Sequence, residues 1–88
     1  MSDWQIVMPA RLNEEMARLT PSGRRAVHDA LAALARDPQT GAEEVIAGAE
    51  IRRHRTQPTA DTGDRISVLY RVHARERRIE VIYLIAGP

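Results

Sequence analysis

All thirteen basic residues of this 88-residue chain are arginine, and their distribution shows where chemistry could sit. Residues 1–50 hold five Arg against eight acids, a balance of −3, and residues 51–88 hold eight against four, a balance of +4. The eight lie between Arg52 and Arg78, interrupted only by Asp61, Asp64 and Glu76. Guanidinium groups grip phosphate oxygens in bidentate fashion and can stabilise the extra negative charge of a phosphorane-like transition state. On a strand, Arg53 and Arg55 share one face, and so do Arg65 and Arg71, so a convergent phosphate clamp is geometrically available. A solvated charge run on an exposed face has the same sequence, and both readings stand. Arginine is a poor proton acceptor. His54, flanked by Arg52, Arg53 and Arg55, is the candidate base, because neighbouring positive charge favours its neutral form. On general grounds it reads first as a surface histidine of an edge strand. His28 and His73 read as structural, and Tyr83 as a strand residue that could stack on a base.

Other chemistries have no residues to carry them. Without cysteine there is no disulfide, thiolate nucleophile or cysteine-ligated metal. No glycine-rich phosphate loop occurs, the three histidines are scattered, and Ser2, Ser22 and Ser67 have no base around them. No metal and no cofactor are expected. The opening MSDWQIVMPARLNEE lacks the basic start and apolar stretch of a signal peptide, and no apolar run approaches a membrane span, so a cytoplasmic location is expected.

The elements that must position these residues are short. Trp4 to Met8 suits a strand ended by Pro9. Leu12, Met16 and Leu19 repeat at helical spacing. Thr20-Pro21 reads as an N-cap with proline at the first helical position, opening a second helix with Val27, Leu31 and Leu34 inward and Asp37-Pro38 as its stop. Gln39 to Gly48 reads as a connector with one helical turn. Ile51 to Thr56 is an arginine-rich strand and Gln57 to Asp64 a turn. Arg65 to Val72 alternates with a period of two, Arg75 to Arg78 is a polar turn, and Ile79 to Ile85 is apolar on both sides, as in a central strand. The expected fold is α+β, one domain over residues 1–88 in the order β-α-α-β-β-β. About four antiparallel strands would carry an N-terminal helical hairpin on one face.

This plan, together with the segments LARDP (34–38), IRRHR (51–55), VLYRV (68–72) and IEVIYLI (79–85), resembles the RelE/ParE superfamily of type II toxin–antitoxin toxins over essentially the whole chain. The short helices look more like the RelE branch. The resemblance implies a metal-independent endoribonuclease that inhibits translation by cutting mRNA on the ribosome, with a cognate antitoxin as its second partner. Carried onto this sequence, Arg55, Arg65 and His54 are the expected catalytic residues, and Arg52, Arg53, Arg71 and Tyr83 the expected RNA- and phosphate-binding ones. Two departures matter. The arginine that many RelE-like sequences place three residues before the strand tyrosine is Ser67 here, with Arg65 the nearest substitute. The sequence also ends at Ala86-Gly87-Pro88, without the usual tail of Arg, His or Tyr. A ParE-like gyrase inhibitor and a catalytically dead homologue that acts as a protein-binding module remain the alternatives.

Overall fold

The computed structural model describes residues 3–40, 42–46 and 49–87. Strand β1 (Gln5–Val7) leads through a 3-10 turn (Ala10–Leu12) into helix α1 (Asn13–Arg18) and helix α2 (Pro21–Arg36). After a second 3-10 turn (Pro38–Thr40) come β2 (Ala42–Ile46), β3 (Ala49–Arg55), β4 (Arg65–His73) and β5 (Arg78–Gly87). The strands form one sheet in the order β1-β5-β4-β3-β2. Neighbours are antiparallel except β1, which runs parallel to β5 and pairs Gln5 with Arg78 and Val7 with Glu80.

The α+β class and the N-terminal helical pair agree with the sequence. The sheet, however, is mixed, because β1 runs parallel to β5, and it has five strands, because residues 42–46 are not a connector. They pair with β3 from Ala42 opposite Arg53 to Ile46 opposite Ala49. A five-residue segment is too short to show a strand period, and cross-strand pairing, not propensity, decides its state.

The start of α2 follows from its first four residues. The Gly23 amide donates to the Thr20 side-chain oxygen at 3.1 Å, and Pro21 occupies the first helical position, where an N–H would have no partner. This turn packs closely against its surroundings, since a Cβ added at Gly23 would lie 3.3 Å from the Leu19 Cβ and 3.4 Å from the Ile66 side chain on β4. Thr20→Ala removes the cap and is expected to cost about 1 kcal/mol. For a domain of this size that lowers the midpoint of thermal unfolding by about 4–8 °C. Unchanged melting in a thermal scan would show that the cap contributes nothing.

The core lies between α2 and one sheet face. Leu12, Val27, Ala30 and Leu34 come from the helical side, and Ile66, Val68, Tyr70, Ile79, Val81 and Leu84 from β4 and β5. The strict alternation of β4 puts Ile66, Val68 and Tyr70 inward. Strand β5 departs from alternation. Leu69 pairs with Tyr83 and Tyr70 with Val81, so Ile82 is an extra residue in a β-bulge. The bulge lets Val81 and Leu84, three residues apart, both face the helices, while Glu80 and Tyr83 both face the other way. Among the described residues no helix is long and apolar enough to cross a membrane.

Candidate nucleic-acid interface

The sheet has a second face that the helices leave open, marked by Tyr83 and Ile85 at 54% and 53% exposure. Register decides which arginines stand on it. Strand β3 places Arg52 opposite Tyr70, Arg53 opposite Leu69, His54 opposite Val68 and Arg55 opposite Ser67. Residues directly opposite one another project to the same side. Val68 and Tyr70 belong to the core, so Arg52 and His54 lie on the helix side, whereas Arg53 and Arg55 lie on the open side.

The open face is therefore built in rows. Arg55, Ser67 and Ile85 form one row, and Arg53, Leu69 and Tyr83 the next. Arg65, opposite Gly87, stands two residues before Ser67, and Arg71, opposite Glu80, stands two residues after Leu69. Two residues along a strand are about 6.6 Å, and a cross-strand neighbour is about 5 Å away. Those spacings bring Arg53, Arg55, Arg65, Arg71 and Tyr83 onto one surface within reach of successive phosphates of a single strand. They also put Ser67 in the middle of the arginine rows, where the resemblance expects a cation.

Arg52 and His54 do not join them. His54 instead lines an open groove of about 480 Å³ between α2 and β3, with Arg25, Asp29, Ala30, Ala33 and Thr56. Burial in that groove lowers its pKa below the ordinary 6.5. It is separated from the clamp by the thickness of the sheet. The folded pKa is depressed, so the unfolded chain takes up a proton first as pH falls, and stability declines below about pH 6.5. Denaturant unfolding between about pH 7 and 5 is expected to show this decline, and His54→Gln to remove its share. A slope identical in the variant would rule the contribution out.

Three features of this surface have no signature in the sequence. Arg11, from the 3-10 turn, donates from Nη2 to the Ile82 carbonyl at 2.8 Å, which satisfies an oxygen at the bulge. Its guanidinium also sits over the Tyr83 ring, 5.4 Å from the centroid, holding the ring at the edge of the open face. No local pattern could reveal a bond spanning 71 positions. At the far end, His73 and Glu80 are joined by a 2.9 Å hydrogen bond between Nε2 and Oε1. The bond to His73 is the main cause that holds the Glu80 carboxyl below its usual range, with Arg71 and Arg78 adding to it. Arg78 pairs with His73 and so stands on this face too.

No protein-family profile matches the sequence, and no curated protein matches it. Solved structures do. A chain of the RelBE2 toxin–antitoxin complex from Mycobacterium tuberculosis superposes with a TM-score of 0.80 at 17% identity, over 99% of this chain and 94% of that one. A chain of the intact E. coli RelBE toxin–antitoxin complex gives 0.71 at 15% identity, covering 97% and 98%. A mutant of the E. coli toxin RelE in the free state gives 0.69 at 16% identity, covering 93% and 81%. The chain has the RelE toxin fold.

Proposed function

We propose that this chain is the toxin of a type II toxin–antitoxin pair and that it inhibits translation by cutting mRNA on the ribosome. The observation that carries the reading is the placement of Arg53, Arg55, Arg65 and Arg71 with exposed Tyr83 on the sheet face opposite the helices. Such a surface suits a single strand of RNA. The guanidiniums track successive phosphates, and a ring with one free face can stack on a base. At the scissile phosphate, arginines arranged in advance stabilise charge that develops only in the transition state.

The likeness of the fold to chains in two toxin–antitoxin complexes supports an antitoxin as the second partner. An acidic antitoxin segment laid over this face would neutralise the arginines and cover Tyr83 and Ile85 at once. Ribosome and mRNA are the target, in the cytoplasm, and the chemistry asks for no cofactor.

Ser67 favours a second reading, a homologue that binds without cutting. Controlled expression in a host lacking the antitoxin separates the two, with growth followed alongside primer extension on a translated reporter. Growth arrest with cuts confined to translated message supports the nuclease. Arrest with intact message transfers the reading to gyrase inhibition, and undisturbed growth to a binding module.

A further inference from the structure

We propose that Arg11 is a positioning residue for RNA, which holds the Tyr83 ring at the edge of the sheet as a fixed platform for one base and makes no phosphate contact itself. The inference rests on the single-strand reading of the open face and adds to it a residue from outside the sheet.

The need for such a clamp follows from where β1 ends. Strand β1 pairs with β5 only from Gln5 opposite Arg78 to Val7 opposite Glu80. Beyond Glu80, among the described residues, no strand lies on the outer side of β5. Tyr83 therefore stands at an open edge, one residue after the bulged Ile82, with 54% of its surface exposed. An aromatic side chain in that setting has more than one rotamer within reach. Ordering it only when a base arrives costs conformational entropy and weakens the stack.

Arg11 supplies that order in advance. Pro9 has no N–H with which to continue β1, and the 3-10 turn that follows is anchored by Leu12, only 1% exposed. The turn brings Arg11 to the open edge of β5. There Nη2 donates to the Ile82 carbonyl at 2.8 Å, and the guanidinium carbon lies 5.4 Å from the centroid of the Tyr83 ring. Two contacts to neighbouring residues of β5 fix the guanidinium, which in turn covers one face of the ring. Among the described residues no carboxylate pairs with Arg11, so the ring and the carbonyl are its partners. The other ring face is left for a base.

The place of the ring suits the phosphate track. Tyr83 shares its row with Leu69 and Arg53, and β3 is two strands away, about 10 Å. A base stacked at the β5 edge leaves the sugar-phosphate chain over the middle of the sheet, where Arg53 and Arg55 reach it. Every base has a π-face, so the platform holds a nucleotide without reading its sequence.

The test is binding of a short fluorescent single-stranded RNA of mixed sequence to the full chain, followed by anisotropy from about 50 to 200 mM salt. The variants are Arg11→Gln, Arg11→Lys, Tyr83→Ala and the double variant with Arg11→Gln and Tyr83→Ala. Tyr83→Ala should weaken binding about 5–150-fold, the range for one lost base stack. Arg11→Gln keeps a donor for the Ile82 carbonyl but removes the cation, and should weaken binding about 2–5-fold with the salt slope unchanged. Arg11→Lys keeps a cation over the ring and should recover most of that loss. The double variant should bind like Tyr83→Ala, because Arg11 acts only through the ring. A merely structural role for Arg11 would weaken binding equally in both backgrounds. Losses that add in the double variant, a salt slope lowered by about 0.7 in Arg11→Gln, or wild-type affinity in Arg11→Gln each overturn the assignment and leave the RNA-binding face standing. A wild-type chain that does not bind this RNA at the lowest salt overturns the single-strand reading as well.

Discussion

Replacing Arg53 and Arg55 together by glutamine is expected to lower single-turnover mRNA cleavage on the ribosome by at least about 10³-fold. Loss of one preorganised donor to a developing oxyanion typically costs about 10²–10³ in rate, and two positions on one strand face remove two. Arg53 stands in the row with Leu69 and Tyr83, and Arg55 in the row with Ser67 and Ile85, so both contribute to one surface. Glutamine keeps length and polarity, so a shortened stem is not the cause of the loss. Affinity for single-stranded RNA should also become less salt-dependent, since every phosphate that is no longer neutralised lowers the slope of log affinity against log salt by about 0.7. Arg52→Gln serves as the comparison, because its position opposite Tyr70 puts it on the other side of the sheet. Its effect on the salt slope should be small. A double variant that cuts within about threefold of wild type would sink the phosphate-clamp reading, whatever its melting temperature.

Sequence and structure together separate local from non-local information. The Thr20-Pro21 start of α2, its Asp37-Pro38 stop and the alternation of β4 are short-range and legible. Strand β2 is not, because Ala42–Ile46 becomes a strand only by pairing with β3. The parallel seat of β1 beside β5 joins segments separated by most of the chain.

For the site, the facing of β3 is the decisive unknown, yet part of it is written in the sequence. The alternation that groups Arg53 with Arg55 separates His54 from both, so a base between them on the chain cannot stand between them in space. The His73–Glu80 bond is hidden by the turn between β4 and β5, whose length sets the register that makes Arg71 and Glu80 opposite. The Ile82 bulge then shifts the remainder of β5 by one residue. No periodicity within IEVIYLI could tell which of its residues, Tyr83 or Ile82, reaches the open face.

The largest effect on stability is expected at Tyr70. The residue is fully buried in the middle of β4, and its hydroxyl donates to the Pro38 carbonyl at 2.8 Å, tying the sheet to the turn that follows α2. Tyr70→Ala removes a whole ring from the core, a change that costs about 3–5 kcal/mol when the cavity cannot collapse. A chain of this length has roughly 4–13 kcal/mol of total stability, so the variant should melt at least about 12 °C below wild type. Tyr70→Phe isolates the polar part. It keeps the ring and leaves a buried carbonyl short of its donor, for an expected cost of about 1–2 kcal/mol. The two variants make the argument testable in its parts by denaturant unfolding. If Tyr70→Phe matches wild type, another donor serves the Pro38 oxygen and the ring alone carries the effect. If Tyr70→Ala also melts within a few degrees of wild type, the core is not centred where the burial pattern of β4 puts it. In that case the facing of every arginine assigned from that strand would have to be drawn again.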